Sequence, residues 1–129
     1  MEIWRDLALR QMPSLKPILL KAENPMGLWI ELEFRLDDAY EEQDRLLIQQ
    51  IYDYAHWSYF ESQDEDLMGV VGCAFYEHLP LNPVVKKDLP NWLAREEFET
   101  LASVLHYHQL DEEFEELRDN FNRASQESD

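Results

Sequence analysis

Metal-ion chemistry is the first chemistry to test, because the chain offers His56, His78, His106 and His108 together with Cys73 and Glu77. These are the side chains that bind zinc or iron, and they do so at characteristic spacings. Cys73 and Glu77 are four residues apart and would share one face of a helix. His106 and His108 are two apart, which on a helix of ~3.6 residues per turn directs them about 160° from each other. No H-x-x-x-H, C-x-x-C or E-x-x-H pattern is present among these residues. The spacing therefore favours histidines whose rings pack while a nitrogen bonds a carbonyl or water. No metal and no cofactor is expected. A metal-dependent or metal-sensing protein using His78, His106 or His108 with Glu77 stands as the alternative of a different class.

Nucleophilic catalysis has as little to work with. Cys73 lies in the apolar run Val70-Val71-Gly72-Cys73-Ala74-Phe75, without a basic neighbour to stabilise a thiolate. A cysteine in such a run is expected to be buried and inert. Gly69 and Gly72 are expected to let another helix approach closely. With 3 glycines in the chain, neither a dinucleotide-binding loop nor a phosphate loop can be written, and no G-x-S-x-G elbow occurs. An enzyme is not expected.

Charge is the dominant feature. The 129 residues carry 28 Asp+Glu against 11 Lys+Arg, a net −17. Residues 1–35 hold five bases and five acids, residues 36–66 hold ten acids and one base, and residues 111–129 add −6. Such a charge opposes direct binding to nucleic acid or anionic membrane. Asp64-Glu65-Asp66 and Asp111-Glu112-Glu113 fall at expected helix starts, where the helix dipole favours them by ~0.3–1 kcal/mol each. The block Asp37, Asp38, Glu41, Glu42 and Asp44 differs. Glu41 and Glu42 come near a helix end, where the dipole opposes them, so a basic protein partner is the expected counterpart. Beside it, Tyr52, Tyr54, His56, Trp57, Tyr59 and Phe60 crowd nine residues. A helix cannot bury all of these, and Tyr40, Tyr54 and Trp57 are taken as possible anchors of a protein interface.

The elements that must position these residues read as helices. Leu47, Ile48, Ile51, Ala55, Ser58 and Tyr59 recur at helical spacing over 44–60, as do Leu67, Val70, Val71, Ala74, Phe75 and His78 over 64–79. Ser62 and Glu65 have capping-box spacing, and Asn82-Pro83 reads as a cap followed by a first-turn proline. Phe98, Leu101, Val104, Leu105 and His108 form the next stripe. Asp111 is placed as the cap of a last helix with Phe114, Leu117 and Phe121 inward. Residues 28–36 alternate like a strand, yet Leu28, Trp29, Leu32, Leu36, Ala39 and Tyr40 also fit a helix opened by Asn24-Pro25. The helical register is longer and has a cap. The expectation is an all-α bundle of six or seven helices, one domain over residues 1–124 with a frayed tail at 125–129.

The single cysteine argues against a disulfide scaffold, and no apolar run approaches the ~18–20 residues of a membrane span. The first residues lack a signal-peptide pattern, so the expected location is cytoplasmic. The stretches Ile51-Tyr52-Asp53-Tyr54-Ala55-His56-Trp57, Phe75-Tyr76-Glu77-His78-Leu79-Pro80 and Leu89-Pro90-Asn91-Trp92-Leu93, continued by Phe98 and His106-Tyr107-His108, resemble a family of small acidic bacterial proteins with no assigned activity. At the level of class only, the chain resembles the immunity proteins that accompany bacterial toxins. The expectation is a non-enzymatic protein that neutralises a basic protein, with a nucleic-acid mimic that blocks a DNA- or RNA-binding protein as the variant reading.

Overall fold

A computed structural model describes the backbone of residues 2–127 and the side chains of residues 2–124. It is all-α, with no strand among the described residues. The α-helices number nine there, more than the six or seven expected, and the stretch 94–108 read as one helix is divided into two of them. The chain forms two compact units, Met1–Phe75 and Tyr76–Asp129.

The first unit contains α1 (Ile3–Gln11), a 3-10 turn at Pro13–Leu15, α2 (Lys16–Lys21), α3 (Pro25–Glu42), α4 (Arg45–His56) and α5 (Glu65–Val71). The ambiguous segment 28–36 lies in the middle of α3. Its start is fixed by Asn24, whose side chain accepts the Gly27 amide at 2.8 Å, with Pro25 in the first turn. Such a cap contributes about 1 kcal/mol. Leu28, Trp29, Leu32, Leu36 and Ala39 form its buried face. Trp29 is the centre of this core: its ring lies 5.2 Å from Tyr54, stacked, and 4.9 Å from Phe75. Ile48, Ile51 and Ala55 of α4 are fully buried too.

Arg5 ties α1 to α2. Its guanidinium donates to the carbonyls of Leu19 at 2.6 Å and Ala22 at 2.7 Å, which the end of α2 leaves without helical partners. α3 turns into α4 through Gln43, held in the left-handed region at φ 58°. Asp44 then caps α4 by accepting the Leu47 amide at 3.1 Å.

α4 widens at its end into a π-helical turn, Trp57–Glu61. There the Ser58 hydroxyl donates to the Tyr54 carbonyl and the Ser62 hydroxyl to the Ser58 carbonyl, both at 2.8 Å. Ser62 is thus committed backwards, and the cap of α5 is Asp64, which accepts the amides of Asp66 and Leu67 at 3.1 Å. The expected Ser62 capping box is corrected accordingly. A second π-helical turn, Gly72–Tyr76, follows α5. Cys73 is exposed rather than buried, because it stands off the stripe made by Leu67, Val71, Ala74 and Phe75. A side chain added at Gly69 would meet nothing within 4 Å, so no helix packs closely there.

The second unit contains a 3-10 turn at Leu79–Leu81, α6 (Pro83–Asp88), a 3-10 turn at Leu89–Asn91, α7 (Arg95–Thr100), α8 (Ala102–His106) and α9 (Asp111–Glu127). Asn82 caps α6 as its sequence indicates, accepting the Val84 amide at 3.0 Å. The expected single helix over 94–108 is interrupted at Leu101, so His108 lies beyond it. Asp111 is not the cap of α9 but its first residue; Glu113 reaches back to accept the Leu110 amide at 2.8 Å. The core stacks Phe98 against Phe121 at 4.2 Å and Phe114 at 5.8 Å, with Leu117 buried beside them. The α9 backbone remains helical through Glu127; the rest of the expected frayed tail, at positions 128–129, and the side chains of 125–129 lie outside the described residues.

Candidate protein-binding surface

α3 has two apolar faces. One is the buried face already described. On the other, Met26, Ile30 and Phe34 are exposed, Phe34 by 60%. At ~100° per residue, Met26, Ile30, Phe34, Asp37 and Glu41 all fall within about 80° of one another, opposite the core-facing stripe. Three apolar side chains therefore run directly into acids along one helical ridge. Exposed apolar residues arranged in a row, rather than scattered, mark interaction surfaces more often than solvent-facing decoration.

The acids at the end of the ridge are in different situations. Asp38 accepts from Arg35 Nη1 at 3.3 Å, and the same guanidinium reaches Glu31 at 3.9 Å. These are exposed pairs of small energetic worth. Glu41 and Glu42 form no side-chain hydrogen bond or ion pair among the described residues, although they occupy the last turn of α3. Nothing in the fold accounts for their charge. Asp44 is different again, since it caps α4 and has a structural role that any partner contact would share.

The expected aromatic anchors separate. Tyr54 is fully buried, with its hydroxyl donating to the Trp4 carbonyl at 2.7 Å, and so cannot be a surface anchor. Desolvation holds its phenol proton well above the ordinary tyrosine range. Trp57 is half-buried, with its ring 6.0 Å from Tyr54. It follows Asp44 by thirteen residues, about 20 Å along α4 at ~1.5 Å per residue, and does not join the acidic block. Tyr40 does stay with the block; it is half-buried, its hydroxyl 3.4 Å from that of Tyr52. The residues missed from sequence are Ile30 and Phe34. Their signal was present in the strand-like alternation of residues 28–36, which is what a helix apolar on two faces produces.

The histidines divide between sites. His78 and His108 stack with centroids 5.0 Å apart, and His108 Nε2 lies 3.2 Å from a Glu77 carboxylate oxygen. His106 is elsewhere, stacked on Phe114 at 4.4 Å with Nε2 2.9 Å from Asp111. Among the described residues no group of three or more His, Cys, Asp and Glu is arranged to hold a metal ion. No described helix is long and apolar enough to cross a membrane.

Comparison with known protein families, with curated proteins and with solved structures finds no match to this chain. The functional reading therefore rests on the all-α fold and on the α3 ridge.

Proposed function

We propose that the protein is a non-enzymatic binder of a basic protein, acting in the cytoplasm, and that the outward ridge of α3 is its contact surface. The observation that carries this reading is the continuity of Ile30 and Phe34 with Asp37 and Glu41 on one exposed face. Apolar residues provide the desolvated centre of an interface, while acids at its edge steer a cationic partner into register. A net charge of −17 extends that attraction over the whole molecule. The most concrete form is an immunity protein that occludes the basic active site of a bacterial toxin.

The test is co-expression with a toxin encoded beside this chain's gene, followed by kinetics on the purified pair. The expected result is rescued growth and an association rate that falls steeply with salt. Phe34→Ser should speed dissociation, whereas Glu41→Lys with Glu42→Lys should slow association. Rescue by toxin binding that ignores both sets of substitutions would remove α3 from the interface. Binding that free DNA or RNA competes away at a nucleic-acid-binding partner would favour mimicry instead.

A further inference from the structure

The first unit contains a pocket of about 410 Å³ where the end of α2 meets the start of α3. Its floor is apolar, made by Ile18, Ala22 and Gly27, all half-buried. A Cβ at Gly27 would meet only the Asn24 carboxamide oxygen, at 3.5 Å, so the space above this glycine is open. Two carboxylates, Glu23 and Glu31, and one ammonium, Lys21, stand exposed on the rim. Glu31 has a loose pair at 3.9 Å from Arg35, and Glu23 has no ion pair among the described residues.

The pocket adjoins the α3 ridge. At ~100° per residue, Gly27 and Glu31 lie about 20° and 60° around the helix from Phe34, on the side away from Met26. Gly27 precedes Ile30 by three residues and Glu31 precedes Phe34 by three, the spacing of surface neighbours on a helix. The exposed row Met26, Ile30 and Phe34 is thus continued sideways by a concavity, which a partner seated on the ridge must fill or leave wet. An apolar floor beneath two carboxylates and one ammonium suits a side chain with an aliphatic stem and a cationic end. An ammonium is compact and strongly hydrated, whereas a guanidinium is flat, weakly hydrated and able to donate to two carboxylates at once. We propose that this pocket receives an arginine side chain of the basic partner, with its methylenes on Ile18, Ala22 and Gly27 and its guanidinium between Glu23 and Glu31. The inference rests on the reading of α3 as the contact surface and adds the chemistry of the partner's anchor.

The test is backbone NMR titration of the full chain with N-acetyl-arginine methylamide, its lysine counterpart and its citrulline counterpart, which is nearly isosteric with arginine but neutral. The arginine probe should saturate with a Kd of roughly 1–10 mM, shifting the amides of Ile18, Ala22 and Gly27. Citrulline should bind at least roughly tenfold more weakly, as should arginine to Glu23→Gln with Glu31→Gln, because charge-assisted contacts are lost. Lys21→Met should tighten arginine binding, and Gly27→Leu, which fills the pocket, should abolish it. Equal binding of citrulline or lysine, shifts scattered over the acidic surface, or no saturation by ~50 mM would overturn the proposal. Phe34→Ser separates the pocket from the ridge, since Phe34 does not line the pocket. A cognate partner weakened by Phe34→Ser, with no arginine binding to the free protein, would discard the pocket and keep the ridge. A partner indifferent to Phe34→Ser would remove the ridge and, with it, this assignment.

Discussion

The Tyr54 hydroxyl donates to the main-chain carbonyl of Trp4 at 2.7 Å, closing a link between residues fifty positions apart. The contact pins α1 onto α4 from inside the core, with the Tyr54 ring stacked on Trp29. Tyr54→Phe removes the donor and leaves the Trp4 carbonyl short of a partner, so it should cost about 1–1.5 kcal/mol. Tyr54→Ala, which also opens a cavity, should cost about 3–5 kcal/mol. Urea denaturation of the two variants checks both values.

The same burial predicts an alkaline limit to stability. The Tyr54 phenol is raised above its ordinary pKa, chiefly by desolvation. Its contribution is fully present below the unfolded-state pKa of about 10 and is lost as pH rises from there towards the folded value, because only the unfolded chain ionises readily. Stability should therefore fall above pH ~10 more steeply in the native chain than in Tyr54→Phe. Parallel thermal melts of the two proteins across that range would show it.

Arg5 supports the first unit in a way that a lysine cannot reproduce. Its two terminal nitrogens meet the Leu19 and Ala22 carbonyls at once, and its Nε meets Glu2 at 3.0 Å. A lysine can bring one ammonium to one of these places. Arg5→Lys should lose about 1–3 kcal/mol, since a charge-assisted hydrogen bond goes and an α2 carbonyl is left without its donor. An equilibrium melt with the loss concentrated in amide exchange of α2 is the expected signature.

How far the sequence specified this arrangement varied with the kind of signal. Helices with explicit caps were legible: Asn24-Pro25 and Asn82-Pro83 begin helices where their chemistry requires. The end of α3 was harder to read because its left-handed cap is Gln43, with φ 58°, where glycine is the usual marker. Gln63, at φ 57°, hides the start of α5 in the same manner. The capping role passed from Ser62 to Asp64 because the Ser62 hydroxyl turns back to the Ser58 carbonyl four residues earlier, a local alternative that serine spacing alone does not distinguish from a cap. For the candidate surface, the acids were visible as a run of charge. The apolar half is not, because a helical register that buries Leu28, Leu32 and Leu36 leaves Ile30 and Phe34 on the opposite face with no pattern of their own.

Gln43 yields a direct check on that reading of the turn. A non-glycine residue in the left-handed region costs roughly 1–2 kcal/mol. Gln43→Gly should therefore stabilise the protein, by up to about 1 kcal/mol after the added flexibility of the unfolded chain is offset. A lower midpoint in urea for Gln43→Gly would show that the Gln43 side chain contributes more than its backbone costs.

The acidic block calls for a comparison of substitutions rather than a single variant, because its members do different things. Asp44 caps α4, so Asp44→Ala should cost about 0.5–2 kcal/mol whatever it does to binding. Glu41 and Glu42 sit at the negative end of the α3 dipole, and Glu41→Lys with Glu42→Lys should leave stability unchanged or raise it by a few tenths of a kcal/mol. The two lysine substitutions shift the local charge by +4, which should slow association with a basic partner and flatten its dependence on salt. Reversing Glu96 and Glu99 makes the same change in net charge on exposed positions of α7, an element of the other unit. If electrostatic steering acts through the α3 ridge, the first pair must slow association more than the second at equal ionic strength. Equal slowing by both pairs would mean that the partner responds only to the overall charge of −17, and Phe34→Ser would then decide whether the ridge makes contact at all.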